Sequence, residues 1–293
     1  MPQNKFTATD IHGIISDICN DRTSGSREIV RHTIDQLKIV VKTAHVTELR
    51  KLVQYLLDEI IKCHPNMEII RSLRDELKRV LSIGFTRESL YSFVENFDRM
   101  MRDDVLSISR RLYELMEKPS VFITLTMSET VHQVLKFLAD RDKITKVIVA
   151  ESRPKREGVI LARLLSESNI RVELIVDAAI DFFISEADIA IIGADRIYRY
   201  EGVLNKIGSR MLGISSLEKG IPFYVVAETR KYTGSKFKRS EIKEQPETEV
   251  LDAGNISNLK PRNVYFELVE NRLITAIITE DGILYPNKNG GRK

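Results

Sequence analysis

Ile189-Ala-Ile-Ile-Gly-Ala-Asp-Arg-Ile-Tyr-Arg-Tyr-Glu-Gly-Val-Leu-Asn-Lys-Ile-Gly208 is the stretch on which the fold turns. Its first four residues, Ile189 to Ile192, form a short apolar, β-branched run and read as a buried strand. Asp195 stands at the mouth of that strand. A short loop containing Gly202 follows, and Asn205 and Lys206 read as the start of a helix over 205–219. An acid, an amide and an ammonium on a strand end and a helix start are the parts of a polar-ligand site. Ligands of open parallel sheets bind outside the carboxyl ends of the strands.

Similar apolar runs lie on either side, at 121–125, 147–150, 172–176, 223–226 and 273–278, with helical stretches between them. Short runs alternating with helical text predict βαβ units and a parallel sheet. Residues 230–262 are polar and broken by proline, and read as a long excursion before the last strand. Residues 1–118 differ: Val30, Ile34, Leu37 and Val41, or Ile69, Ile70, Leu73, Leu77, Val80 and Leu81, recur at three- and four-residue steps. That is the period of amphipathic helices. Turn residues at Thr23-Ser24-Gly25-Ser26, His64-Pro65-Asn66 and Gly84 divide them. The expected fold class is α/β, with an N-terminal helical bundle at 1–118 and a Rossmann-like doubly wound parallel sheet at 119–293.

The 293 residues are 43% hydrophobic and 30% charged, the composition of a globular protein able to bury a core. No apolar run approaches the roughly 20 residues that span a bilayer. The start, Met1-Pro-Gln-Asn-Lys-Phe, lacks the apolar segment of a secretory signal, so a cytoplasmic protein is expected. Cys19 and Cys63 fit a reducing compartment without a disulfide, and lack metal-ligand spacing. A net charge of +3, from 45 basic and 42 acidic residues, argues against direct DNA binding.

The polar groups that follow the predicted strands converge on one sheet edge. They are Thr124, Thr126 and Ser128; then Glu151-Ser-Arg-Pro-Lys-Arg-Glu-Gly158; then Asp195, Asn205 and Lys206; then Glu228-Thr-Arg-Lys231. Arg153 and Lys155 precede Gly158 and a helix start, an arrangement that suits a phosphate through backbone N–H groups and nearby cations. A solvated Glu151–Arg153 loop pair fits the same residues. Gly158 is followed by Val159, so this is no Walker A loop, and without a Gly-x-Gly-x-x-Gly fingerprint a nicotinamide cofactor is not expected. Gly25, Ser26 and Arg27 open a helix and could add an anion contact, although alone they read as a serine cap. Asp195 could be a general base, a partner for a ligand hydroxyl, or a turn residue. The five histidines are scattered and read as structural. Lys236, Lys238, Arg239 and Lys243 read as a solvated basic loop.

Taken in order, Glu151-Ser-Arg-Pro-x-x-x-Gly158, Asp177-Ala-Ala, Gly193-Ala-Asp-Arg-Ile, Gly202-Val-Leu-Asn-Lys-Ile-Gly208, Gly220-Ile-Pro-Phe-Tyr-Val-Val-Ala and Thr279-Glu-Asp-Gly-Ile283 resemble the translation initiation factor 2B alpha/beta/delta-related superfamily. That superfamily also holds isomerases of methylthioribose 1-phosphate and ribose 1,5-bisphosphate. The resemblance covers the second domain well; the first matches in architecture and in the Gly25-Ser26 turn.

The resemblance implies that the isomerases work with a cysteine in a Thr-x-Cys-x-Ser pattern and with the aspartate of Gly-Ala-Asp. Here the pattern is Thr124-Leu-Thr126-Met-Ser128, with Thr126 at the cysteine position and Asp195 retained. A thiol, with pKa about 8.5, exchanges a proton near neutrality; an alcohol does not without strong activation. The isomerases' Phe-Asp-x-Thr-Pro-Pro segment is changed here to Phe266-Glu-Leu-Val-Glu-Asn271. The chain thus resembles the non-enzymatic branch. That implies a homodimer or higher homo-oligomer formed through the Rossmann-like domain and a helical domain facing initiation factor 2 subunits. It further implies a phosphorylated sugar or nucleotide as ligand and no cofactor. The alternative is an aldose–ketose isomerase using Asp195.

Overall fold

The computed structural model describes residues 8–21, 25–251, 256 and 258–286. Thr23 and Ser24 of the expected first turn, and the amino-terminal residues read for a leader, lie outside these. The chain divides into two compact units, Met1–Asp104 and Val105–Lys293. The division falls inside a helix rather than at the compositional change near Pro119.

The first unit is helical: α1 (Ala8–Asn20), α2 (Ser26–Thr43), α3 (Val46–Cys63), α4 (Glu68–Ile83) and the first half of α5 (Arg87–Leu115). The stripes read from the sequence are its core, with Val30, Ile34, Leu37, Val41, Leu49, Leu56, Ile60, Ile70 and Leu73 buried together. Gly84 follows α4 at φ 98°, a backbone state that favours glycine. Arg87 donates to the carbonyls of Val41 and Ala44, supplying partners for the otherwise open end of α2.

One expectation is corrected here. Cys19, near the end of α1, and Cys63, at the end of α3, form a disulfide with Cα atoms 5.3 Å apart. The apolar stripes of α1 and α3 pack in one core, which brings the helix ends together. A sequence separation of 44 carries no trace of that meeting. The cysteines therefore give no support to a reducing compartment.

The second unit follows in chain order: β1 (Ser120–Leu125), α6 (Glu129–Ala139), β2 (Ile144–Ala150), α7 (Glu157–Glu167), β3 (Val172–Ile175), α8 (Ile180–Phe183), β4 (Ile189–Ile192), β5 (Arg196–Tyr198), β6 (Gly202–Lys206), α9 (Ser209–Lys219), β7 (Phe223–Val226), β8 (Tyr232–Thr233), β9 (Phe266–Glu270), β10 (Ala276–Ile278) and β11 (Ile283–Leu284). The main sheet has seven strands in the order β11-β10-β7-β4-β1-β2-β3. All its pairings are parallel except β10 with β11. The sheet is covered on both faces. Phe122, Val147, Val149 and Ile191 pack with Ile108 and Leu112 of α5, Leu135 of α6 and Leu161 of α7. Ile123, Ile148, Ala190 and Val225 pack with Ile180 of α8 and Leu212 of α9. This is the doubly wound arrangement: the chain runs outward from β1 through β2 to β3, then returns to β4 on the other side of β1.

A second sheet, β8-β5-β6-β9, was not foreseen. It corrects the reading of the opening stretch. Asn205 and Lys206 do not start a helix; they end strand β6, which pairs antiparallel with β5 and β9. The helix begins three residues later, at Ser209. Gly202 sits at φ 139°, and a Cβ there would meet the Val269 carbonyl oxygen at 1.9 Å. Only glycine permits that approach of β6 to β9. Among the described residues no helix is long and apolar enough to cross a membrane. No group of His, Cys, Asp or Glu among them could hold a metal ion.

Candidate functional site

The strand order reverses between β1 and β4, and the crevice beyond their carboxyl ends is where a doubly wound sheet takes a ligand. Thr126 and Ser128 follow β1; Gly193, Ala194 and Asp195 follow β4. The two loops abut, since a Cβ on Gly193 would lie 2.5 Å from Ser128 Oγ. Ser128 caps α6, its hydroxyl accepting from the Val131 N–H at 3.3 Å. Asp195 is half-buried, and its N–H donates to the Leu204 carbonyl at 2.9 Å, which fixes it against β6.

Behind these loops lies a buried polar relay. Thr126 Oγ1 donates to Glu157 Oε2 at 3.3 Å. The other carboxylate oxygen, Glu157 Oε1, accepts from Lys206 Nζ at 2.8 Å. The Glu157 side chain is 4% exposed and that of Lys206 16%. Lys206 Nζ also lies 5.1 Å from the Tyr265 ring centroid and 5.0 Å from that of Phe266, within cation–π range. Asn205 points elsewhere, its Nδ2 donating to Ser209 Oγ at 2.9 Å, as the alternation of a strand requires. That hydroxyl in turn donates to the Lys206 carbonyl and ties β6 to α9.

The Glu151–Gly158 loop is held from several directions. The Asp177 carboxylate accepts the N–H groups of Ser152 and Arg153, both at 2.7 Å. Ser152 Oγ accepts the Thr126 N–H at 2.6 Å. Thr126, Ser152 and Arg156 adopt φ values of 59°, 63° and 58°. Positive φ is a genuine outlier for a β-branched residue such as Thr126, and such strain collects at ligand sites. Gly158 serves otherwise than expected. Its N–H is not open to an anion but donates to the Glu151 carbonyl at 3.1 Å. A Cβ there would meet the Ala150 carbonyl oxygen at 1.8 Å, so the glycine lets α7 start hard against the end of β2. Gly158 therefore offers an anion no N–H of its own, and the loop's charge toward one comes from Arg153, Lys155 and Arg156.

Those cations are engaged. Lys155 Nζ lies 2.7 Å from Glu249 Oε1 and 6.0 Å from the Tyr265 centroid. Arg153, exposed, reaches the Val250 carbonyl at 3.4 Å. Arg156 pairs with Glu151 at 3.1 Å. Burial pushes the Glu249 carboxyl up, but hydrogen bonds from Lys155, Tyr265 and Asn263 outweigh it and hold the group below the usual carboxylate range. Elsewhere on the second sheet, Arg196 and Tyr198 both bind Glu241 of the excursion, at 2.6 and 3.0 Å. Burial pushes the Tyr198 hydroxyl up to about 12.

Gly25, Ser26 and Arg27 belong to the helical unit. Gly25, rather than Ser26, takes the cap position of α2. Arg27 is buried and donates to the Met101 carbonyl at 3.0 Å. The structure thus joins Thr126 and Lys206 through Glu157 and sets Ser128 against the Gly193–Asp195 turn. The sequence singles out neither Glu249 nor Tyr265, and it gives Glu157 and Ser152 only as members of the Glu151–Gly158 loop. Glu157 could have been found, since it adjoins Gly158 inside the quoted loop. Tyr265 and Glu249 carry no local signal and arrive from far along the chain.

Comparison with known proteins agrees with this architecture. Residues 22–286 match the model of the initiation factor 2 subunit family. A Pyrococcus horikoshii relative named as eIF-2B subunit 2-like is 30% identical over 94% of this chain and 96% of its own. The Methanocaldococcus jannaschii ribose 1,5-bisphosphate isomerase is 36% identical over 54% of this chain and 53% of its own. The crystal structure of the Pyrococcus horikoshii translation initiation factor eIF-2B superposes with a TM-score of 0.82 at 28% identity, covering 97% of this chain and 99% of that one. The chain belongs to the initiation factor 2 subunit family.

Proposed function

We propose that this protein is an initiation factor 2B-like regulatory subunit that binds a phosphorylated sugar or nucleotide at the sheet's switch point without turning it over. One observation carries the reading: Thr126, at the position where the isomerases resembled here have a cysteine, gives its hydroxyl to a buried carboxylate that is already paired with Lys206. An alcohol so placed is no proton donor near neutrality, and Glu157 is committed to an ammonium. The cations Arg153, Lys155 and Lys206 supply the charge that a phosphate needs. The retained Asp195 at the same crevice supports the alternative, an isomerase of ribose 1,5-bisphosphate or methylthioribose 1-phosphate. In that case Asp195 would move the proton between substrate carbons.

The family membership supports a homodimer or higher oligomer, a partnership with initiation factor 2 subunits and a cytoplasmic location. Isothermal titration with ribose 1,5-bisphosphate and with nucleoside monophosphates tests the ligand. Binding that is lost in Lys206→Met is the expected result; no heat from any of them overturns the reading. Pull-down with initiation factor 2 subunits tests the partner, and absence of association would count against it.

A further inference from the structure

The segment that leaves the second sheet at β8 and returns at β9 does more than connect them. Residues 244–250 dock along 262–265, through the Glu244–Val264 bridge and the Gln245 N–H to the Asn263 carbonyl at 2.9 Å. This docking brings Glu249 to the Glu151–Gly158 loop. Three donors meet its carboxylate. Lys155 Nζ lies 2.7 Å from Oε1, Asn263 Nδ2 donates to Oε2 at 2.9 Å, and the Tyr265 hydroxyl donates to the same oxygen. Next to it, the Val250 carbonyl accepts from Arg153 at 3.4 Å. One short segment thus engages two of the loop's three cations, Arg153 and Lys155, on either side of Pro154.

An ammonium, an amide N–H and a phenol converging on one carboxylate form an oxyanion-binding set. A phosphate monoester offers three acceptor oxygens and up to two negative charges to the same donors. Lys155 and Lys206 both lie over the Tyr265 ring, at 6.0 and 5.1 Å from its centroid, so this set borders the Lys206–Glu157 pair.

We propose that Glu249 is a built-in occupant of a phosphate subsite formed by Lys155, Asn263 and Tyr265, and that a phosphorylated ligand binds by displacing it. The proposal rests on the reading of the switch-point crevice as a site for a phosphorylated ligand. Displacement of Glu249 removes the Lys155 tie of the 247–250 segment and with it the neighbouring contact to Arg153. Ligand occupancy would thereby be reported on the outer surface of the second unit.

The test is isothermal titration of inorganic phosphate and of ribose 5-phosphate into the full chain, at fixed ionic strength. Three proteins are compared: the wild type, Glu249→Gln and Glu249→Gln with Lys155→Met. Glutamine keeps the shape and accepting oxygen of glutamate, and an unchanged thermal midpoint verifies its fold. Glu249→Gln is expected to bind ribose 5-phosphate about tenfold more tightly than wild type, and the Lys155→Met double variant to lose that gain. Hydrogen exchange supplies a second readout: the Val250 N–H, bonded to the Glu247 carbonyl in the unliganded chain, should lose protection when the wild type is saturated. If wild type and Glu249→Gln bind with equal affinity, the Lys155–Glu249 pair is only a tie for the excursion; this inference fails and the proposed function stands. If neither binds either probe, this inference is overturned, and the proposed function is decided separately by the titrations with ribose 1,5-bisphosphate and nucleoside monophosphates.

Discussion

Replacing Lys206 by methionine removes an ammonium while keeping an unbranched apolar stem against Tyr265 and Phe266. Glu157 is then left 4% exposed, with the Thr126 hydroxyl as the remaining one of the two side-chain partners described above. Removing one member of a buried ion pair costs about 3–5 kcal/mol, because the other charge stays desolvated without compensation. Lys206 is 16% exposed, which puts the expected loss at the lower end, about 3 kcal/mol. For a unit of this size each kcal/mol moves Tm by about 2–4 °C, so the transition of the second unit should fall by about 6–12 °C. Glu157→Leu should cost less, since the Lys206 stem is long enough to carry its ammonium toward water. The double variant should therefore cost about 2 kcal/mol less than the sum of the singles, a coupling large enough to resolve. Scanning calorimetry on the four proteins at one pH measures it. A Tm shift below about 2 °C in Lys206→Met, with additive singles, would mean that the pair is solvated. The crevice would then not be the desolvated polar site described here.

Removing the disulfide by Cys19→Ser releases a cross-link of sequence separation 44, worth about 4 kcal/mol by loop entropy. The thermal transition of the helical unit should fall by more than about 10 °C, and reductant should lower the wild type to match. Gly158→Ala would force a Cβ to within 1.8 Å of the Ala150 carbonyl oxygen, so a loss of about 3 kcal/mol in calorimetry is expected. His132 is buried, neither ring nitrogen has a hydrogen-bond partner among the described residues, and burial pushes its pKa down. Between this lowered folded pKa and the unfolded value near 6.5 the unfolded chain binds more protons, so wild-type stability should fall as the pH drops through that window. In His132→Leu, denaturant midpoints measured from pH 7.5 to 5 should lose that share of the slope.

The fold class was legible because each unit writes its period plainly. The stripes of the helical unit and the short apolar runs of the main sheet each match one burial pattern. Strand β6 is misread from sequence because Asn205 and Lys206 look like a helix start. Their strand character comes from β5 and β9, and β9 lies some sixty residues downstream. The candidate site's contacts are legible only in part. Strand ends point to Thr126, Arg153 and Lys206, but Glu157, which joins Thr126 to Lys206, reads from sequence as part of a phosphate loop. The sequence suggests that Gly158 exposes amides, whereas its own N–H donates to the Glu151 carbonyl where α7 starts against the end of β2. The contact between Lys155 and Glu249 depends on the folding back of the excursion, and no local spacing encodes it. The disulfide was missed for the same reason, since it depends on how two helices end.

Occupancy without turnover stands or falls at Asp195. The deciding measurement is phosphorus NMR of ribose 1,5-bisphosphate incubated with this chain. Resonances are expected to shift on binding and return unchanged on release, in the wild type and in Asp195→Asn alike. Accumulation of the ketose bisphosphate by wild type, absent in Asp195→Asn, would contradict it.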